Sequence, residues 1–238
     1  MQSTIADVAT FSGKGLHTGA SVRMEIHPAS GNHGIVFRRI DLPGEPEIPA
    51  LAEFVSTTKR GTTIAKGEAS VSTIEHIMAT LFAFGIDNAL IKINGPEVPI
   101  MDGSAEEFAG LISKTGVKKL DKPRKSYTPR KEIHYKDDSS GAEIRIIPTK
   151  EYSIDLEIDF NSDIIGKQRA HFDHTTDFLK EIAPCRTFVF LEDVMPLLKS
   201  NLIKGGDIDN AIVIADKEIP NEEKEYLKSA HPEIFTSD

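Results

Sequence analysis

Glu75 and His76 are adjacent residues whose types could do chemistry together. A carboxylate can take a proton from a water molecule, and an imidazole can ligate a metal ion when it is neutral. Other candidates are weaker by spacing. His171 and His174 stand three residues apart in an expected strand-to-helix loop, where nothing fixes both rings on one ion, and the chain holds no His-Glu-x-x-His pair. The glycines of residues 13–19, GKGLHTG, approach a dinucleotide fingerprint, but the last interval is one residue too long and no strand clearly leads in. A tight turn is the expectation there. Cys185 has no evident histidine partner, so it reads as a small buried hydrophobe rather than a nucleophile.

The elements around Glu75 and His76 decide whether they can act. Ile74, Ile77, Met78, Leu81 and Phe82 recur at helical spacing, Ser72 and Glu75 have the separation of a capping box, and Gly85 can end the helix. On that wheel His76 points away from the apolar stripe, in line with Ala79, Thr80 and Ala83. A face of small residues lets another helix approach closely, and a helix N-terminus favours the neutral imidazole that a metal needs. Exposure of His76 and capping by Glu75 are the plain alternative.

Upstream, residues 22–27 alternate apolar and polar side chains as a strand with one dry face, and a second strand is expected at 34–39. A strand at 88–93, a Gly/Pro-rich loop through Met101 and a helix boxed by Ser104 and Glu107, striped by Phe108, Leu111 and Ile112, close the first domain at Gly116. This domain is expected over residues 1–117. Residues 118–131 carry seven Lys and Arg side chains with Pro123 and Pro129 and read as a basic linker. The second domain, 132–238, opens with strands at 142–147 and 153–160, continues with helices at 175–182 and 193–202 and a strand at 211–215, and ends in polar chain with at most one short helix.

Composition bounds the rest. The 238 residues are 39% hydrophobic and 27% charged, in the ordinary globular range, so fibrous and disordered classes are excluded. A formal net charge of -9 repels a polyanion, which argues against nucleic acid as a partner. A single cysteine, a start without a basic and apolar leader, and no apolar run of about 18 residues lead to the expectation of a cytoplasmic protein with no membrane span.

Residues 11–19 (FSGKGLHTG), 71–76 (VSTIEH), 85–105 (GIDNALIKINGPEVPIMDGSA), 183–190 (APCRTFVF) and 201–214 (NLIKGGDIDNAIVI) together resemble the UDP-3-O-acyl-N-acetylglucosamine deacetylases, the zinc amidases of lipid A biosynthesis. The resemblance runs from about Phe11 to Ala215. It implies an α+β fold of two similar α/β sandwich domains, each a small sheet with two helices and an insert, the helices facing one another. It also implies a UDP-linked acylated N-acetylglucosamine as substrate and one zinc ion per complete site. By it His76 is a zinc ligand and Glu75 the general base. Thr187 corresponds to a threonine that hydrogen-bonds the oxyanion of the tetrahedral intermediate, and Phe188 and Phe190 to aromatics on the substrate side, with burial in a core the equal alternative. Residues 191–215 resemble an insert that forms a passage for the acyl chain. The family's remaining ligands, a His and an Asp in a His-Lys-x-x-Asp pattern, and its later catalytic His have no counterpart. His231 has no Asp four residues on and receives no zinc role. The expectation is a second domain that is incomplete, in a piece of a longer enzyme. A homologue that binds the acyl-sugar nucleotide without turnover is the alternative.

Overall fold

A computed structural model describes residues 1–199, 205–206 and 209–230. The final part of the helix expected at 193–202, and His231, lie outside the described residues. The chain divides into two compact units, Met1–Lys122 with Phe178–Asp238, and Pro123–Asp177.

The first unit opens with β1 (Ser3–Ile5), β2 (Ala9–Lys14), β3 (Ser21–Pro28), β4 (Ile35–Arg39) and β5 (Glu47–Pro49). Next come β6 (Val55–Thr57), β7 (Thr63–Lys66), β8 (Ala69–Val71), α1 (Glu75–Ala83), β9 (Ala89–Ile93), α2 (Glu106–Thr115) and β10 (Val117–Lys119). A five-stranded sheet has the order β2-β3-β9-β4-β5. Only its β4–β9 pair is parallel. Strand alternation does what the sequence implies: Val22, Met24 and Ile26 of β3 are buried, as are Ala89, Ile91 and Ile93 of β9. They join Ile77 and Leu81 of α1 and Phe108 and Ile112 of α2 in one core, so both helices supply apolar faces to the sheet. The rings of Phe11 and Phe108 meet at 5.0 Å between centroids. Strands β6, β7 and β8 form a separate small sheet, and β1 pairs with β10.

Two details of α1 depart from the expected pattern. Phe82 is 64% exposed. The buried stripe is Ile77, Thr80 and Leu81, and Phe82 lies about 100° around the helix from Leu81, beyond its edge. The Ser72–Glu75 box does not form either, because the cap residue is Ile74. Thr73 between them takes φ +59°, which turns Ser72 out of the helix. Gly85, at φ +64°, follows the helix end as expected, its N–H donating to the Phe82 carbonyl.

The second unit holds two antiparallel ribbons. β11 (Ile133–Lys136) pairs with β12 (Glu143–Ile146), and β13 (Ile154–Asp159) pairs with β14 (Lys167–Phe172).

The chain then returns to the first unit through a wide helical turn at Phe178–Ile182, which stops ahead of Pro184. There follow β15 (Phe188–Phe190), α3 (Leu191–Lys199), β16 (Ile212–Ile214) and α4 (Asn221–Ala230). β15 and β16 pair in parallel, and Leu191, Val194 and Met195 of α3 pack with Leu227 of α4. Ala183 is buried against Ala105 and Ala109 at the start of α2. Cys185, expected to be buried, is exposed: its thiol donates to the Glu181 carbonyl at 3.3 Å while neighbouring Ala183 takes the interior position. The architecture is α+β, with small sheets and few helices.

Candidate active site

The first turn of α1 presents Glu75 and His76, each partly buried. Glu75 does not cap its own helix. Its Oε2 accepts the N–H of Thr62 at 2.9 Å, and Gly61 lies against the same carboxylate with its backbone at φ +148°. A side chain at residue 61 would press on Oε1, so glycine there keeps the carboxylate's second oxygen open. The His76 carbonyl accepts the Thr80 hydroxyl at 2.9 Å, an ordinary back-bond within the helix. Burial pushes the His76 imidazole below its ordinary pKa, against the opposing pull of the Glu75 and Asp102 carboxylates. The ring is therefore biased to its neutral, metal-competent form.

A second carboxylate, unmarked by the sequence reading, stands behind that turn. The Glu97 side chain is fully buried, at 0% exposure. It accepts the backbone N–H groups of His17 and Thr18 at 3.0 Å each, the Thr18 hydroxyl at 2.8 Å and the Thr73 hydroxyl at 3.1 Å. The His17 imidazole pairs with it at 2.8 Å. Burial alone would raise this acid, but the bonds from His17 and Thr18 outweigh it and hold the carboxyl at about 2. The His17 pKa is raised in turn, chiefly by its bond to Glu97 and also by the field of Glu75. Residues 15–19 are thus a tight turn, as expected, but β2 does lead into it and takes in Gly13 and Lys14, against the expectation of no leading strand; the turn's donors converge on one buried anion. The sequence carried one hint, a lone acid in the otherwise uncharged run 93–101.

The loop before α2 carries the carboxylate of Asp102, whose charge acts on His76. Asp102 accepts the N–H and the hydroxyl of Ser104 at 3.0 and 2.7 Å, and the Ser104 hydroxyl accepts the Glu106 N–H at 3.0 Å. The expected Ser104–Glu107 box does not form: the cap residue of α2 is Ala105, and the Ser104 N–H that Glu107 would need already goes to Asp102. Against this loop runs the segment leading into β15. Thr187 donates its N–H to the Gly103 carbonyl at 2.8 Å, and the Arg186 guanidinium donates to the Asp102 carbonyl at 2.8 Å. Thr187, Phe188 and Phe190 are partly buried, and the two rings meet edge to face at 5.8 Å. Two glycines make the approach possible. A Cβ on Gly103 would strike the Asn210 carbonyl, and one on Gly205 would strike the Gly15 carbonyl.

The structure thus ties the Thr187 segment to the loop that carries Asp102, whose charge reaches His76, and ties the Gly15 turn to the residue two before Glu75. His171 and His174 are both exposed; His171 pairs with Asp155 and, at 3.7 Å, with Asp173, and His174 pairs with Glu151. Among the described residues no three His, Cys, Asp or Glu side chains stand close enough to hold a metal. A catalytic zinc site normally needs three protein ligands. His76 fits as one member of such a set.

A profile of the UDP-3-O-acyl N-acetylglycosamine deacetylases matches residues 2–229. The chain belongs to this family. Among its relatives in the family, the bifunctional enzyme LpxC/FabZ of Bacteroides thetaiotaomicron is 42% identical over 226 residues, which are 95% of this chain and 49% of the relative. The UDP-3-O-acyl-N-acetylglucosamine deacetylase of Citrifermentans bemidjiense is 43% identical over 223 residues, 93% of this chain and 72% of that protein. That of Syntrophotalea carbinolica is 44% identical over 221 residues. The chain spans about half the length of the bifunctional relatives and about seven tenths of the single-function deacetylases. Among the described residues no helix is long and apolar enough to cross a membrane.

Proposed function

We propose that the whole protein is a zinc-dependent amide hydrolase that removes the N-acetyl group from a UDP-linked 3-O-acylated N-acetylglucosamine, a step of lipid A biosynthesis carried out in the cytoplasm. The observation that carries this reading is the Glu75-His76 pair on the first turn of α1, in a chain that matches the deacetylase family over residues 2–229. His76 would be one zinc ligand, with two more supplied by the part of the relatives' length that this chain does not span. Zinc, when bound, acidifies a water molecule and polarises the amide oxygen.

The chain's own residues do the remaining work in this reading. Glu75, anchored through one oxygen by the Thr62 N–H, uses the other to take the proton of the attacking water. Thr187, held at its backbone by Gly103, offers its hydroxyl to the oxygen on which negative charge develops. Phe188 and Phe190 line the substrate side, and the apolar residues of α3 border the acyl chain.

The test uses the full-length protein, substrate turnover and metal analysis. Wild type should bind one zinc and release acetate. Glu75→Ala should keep the zinc and lose about 10²–10⁴-fold in kcat. His76→Ala should lose the zinc. A wild-type protein that binds the acyl-sugar nucleotide without zinc or turnover would overturn the reading.

A further inference from the structure

Glu97 holds Thr73 by its hydroxyl, and Thr73 stands two residues before Glu75 in a backbone conformation that β-branched residues avoid, φ +59°. Such a residue is strained and persists only where its surroundings over-determine it. The surroundings here are specific. Ser72 donates its N–H to the Pro96 carbonyl at 2.9 Å, and Val98 donates to the Ser72 carbonyl at 3.0 Å, so the Glu97 backbone runs beside Ser72. Beyond Thr73, the Ile74 N–H reaches the Thr62 carbonyl at 3.3 Å. Between those backbone bonds, the Thr73 hydroxyl is joined to a buried acid that is itself fixed by the His17–Thr18 turn. The left-handed residue is the point at which the chain leaves the β8 direction and α1 begins.

We propose that Glu97 is a positioning residue for the Glu75-His76 pair: its buried carboxylate, pinned by His17 and Thr18, locks Thr73 in the left-handed conformation and so sets the direction in which the first turn of α1 presents both side chains. Glu97 touches neither substrate nor metal in this account. It acts through Thr73. The assignment rests on the reading of Glu75 and His76 as functional, and a displacement of about 1 Å in such groups can cost about a hundredfold in rate.

Thr73→Val and Thr73→Gly, made in the full-length protein, separate this role from general support. Both lose the hydroxyl, but only glycine adopts a positive φ without strain. Thr73→Val should lower kcat at least about tenfold with KM within about twofold, while Thr73→Gly stays within about threefold of wild type. Glu97→Gln should behave as Thr73→Val does, and adding Thr73→Gly to it should restore kcat at least about threefold. The proposal is overturned if Thr73→Val is as active as wild type, if Thr73→Gly is as impaired as Thr73→Val, or if the double variant recovers nothing. Should wild type itself lack deacetylase activity, the functional reading fails on its own, and the Glu75 and His76 amide and ring signals by NMR still decide. Signals displaced in Thr73→Val and returned in Thr73→Gly support the lock; signals unmoved in Thr73→Val overturn it.

Discussion

Glu97 shows what a single side chain can cost and stabilise. Its carboxyl titrates at about 2 when folded, against 4.5 as the ordinary value, so the folded state prefers the anion. An acid with a depressed folded pKa contributes stability that is fully present above the unfolded value and lost as pH falls through the folded one. The window here is from about pH 4.5 down to about pH 2, and the contribution is on the order of 3 kcal/mol. His17 has the opposite sign: its raised pKa adds stability below its ordinary 6.5, lost as pH rises through the folded value. Urea midpoints of wild type should fall steeply between about pH 4.5 and about pH 2.5, and those of Glu97→Gln should fall less over the same range. Parallel curves would show that this acid contributes nothing to the acid limb. Gly15 is bound to the same centre, since a Cβ there would meet Glu97 Oε2 and the Thr18 hydroxyl. Gly15→Ala should therefore cost about 1–3 kcal/mol by the same urea measurement. Glu75 and His76 were marked as candidates by type and adjacency, their roles only by the family resemblance. Glu97 and His17 were not, because the acid's partners lie 24 and 80 positions away, and only the fold brings them together.

Elements were legible in proportion to their length and period. The alternation at 22–27 corresponds to β3, and the apolar spacing after Ser72 to α1, because each pattern repeats enough times to define a face. Three-residue strands such as β1 and β10 offer too little sequence to show a period, and they pair with one another from far apart in the chain. The expected Ser72–Glu75 box fails for a local reason: Thr73 trades helical dihedrals for its bond to Glu97, a choice no spacing rule contains. At this scale Gly103 and Gly205 decide how the β15–β16 pair docks. Gly103, at φ +83°, faces the Asn210 carbonyl, and Gly205 donates to the Leu16 carbonyl at 3.2 Å while crowding Gly15. The obstacles are backbone atoms, which cannot swing aside as a long side chain can. Gly103→Ala or Gly205→Ala should each destabilise by about 1–3 kcal/mol and speed amide exchange in Ile212–Ile214 more than in Ala89–Ile93. Equal acceleration in both strands would mean that the glycines support the whole unit rather than this docking.

The two units differ in how much apolar surface they remove from water. In Met1–Lys122 with Phe178–Asp238, the central sheet and the two helices close around one extensive core. In Pro123–Asp177 each ribbon has two strands, and a ribbon of that kind is marginally stable in water without a packed face. Cross-strand register places Ile133 opposite Ile146 and Tyr135 opposite Ile144, which puts all four on one face, yet Tyr135 and Ile144 are each 64% exposed. On the other ribbon Ile154 and Leu156 are exposed in the same way, while ion pairs of Glu157 with Lys167 and Arg169 occupy the opposite, solvated face. Exposed pairs of that kind contribute little and do not replace the missing burial. In the 238-residue chain, the amides of β11 through β14 should therefore exchange at least about a hundredfold faster than those of β3 and β9, measured by hydrogen–deuterium exchange with mass spectrometry. Matching protection in the two units would show that the apolar faces at Tyr135 and Leu156 are covered in solution, and would shift the weakest point of the molecule elsewhere. Slow exchange at β3 and β9 with fast exchange at β13 and β14 would instead mean that the turn bearing Glu75 and His76 is built on the more stable of the two units.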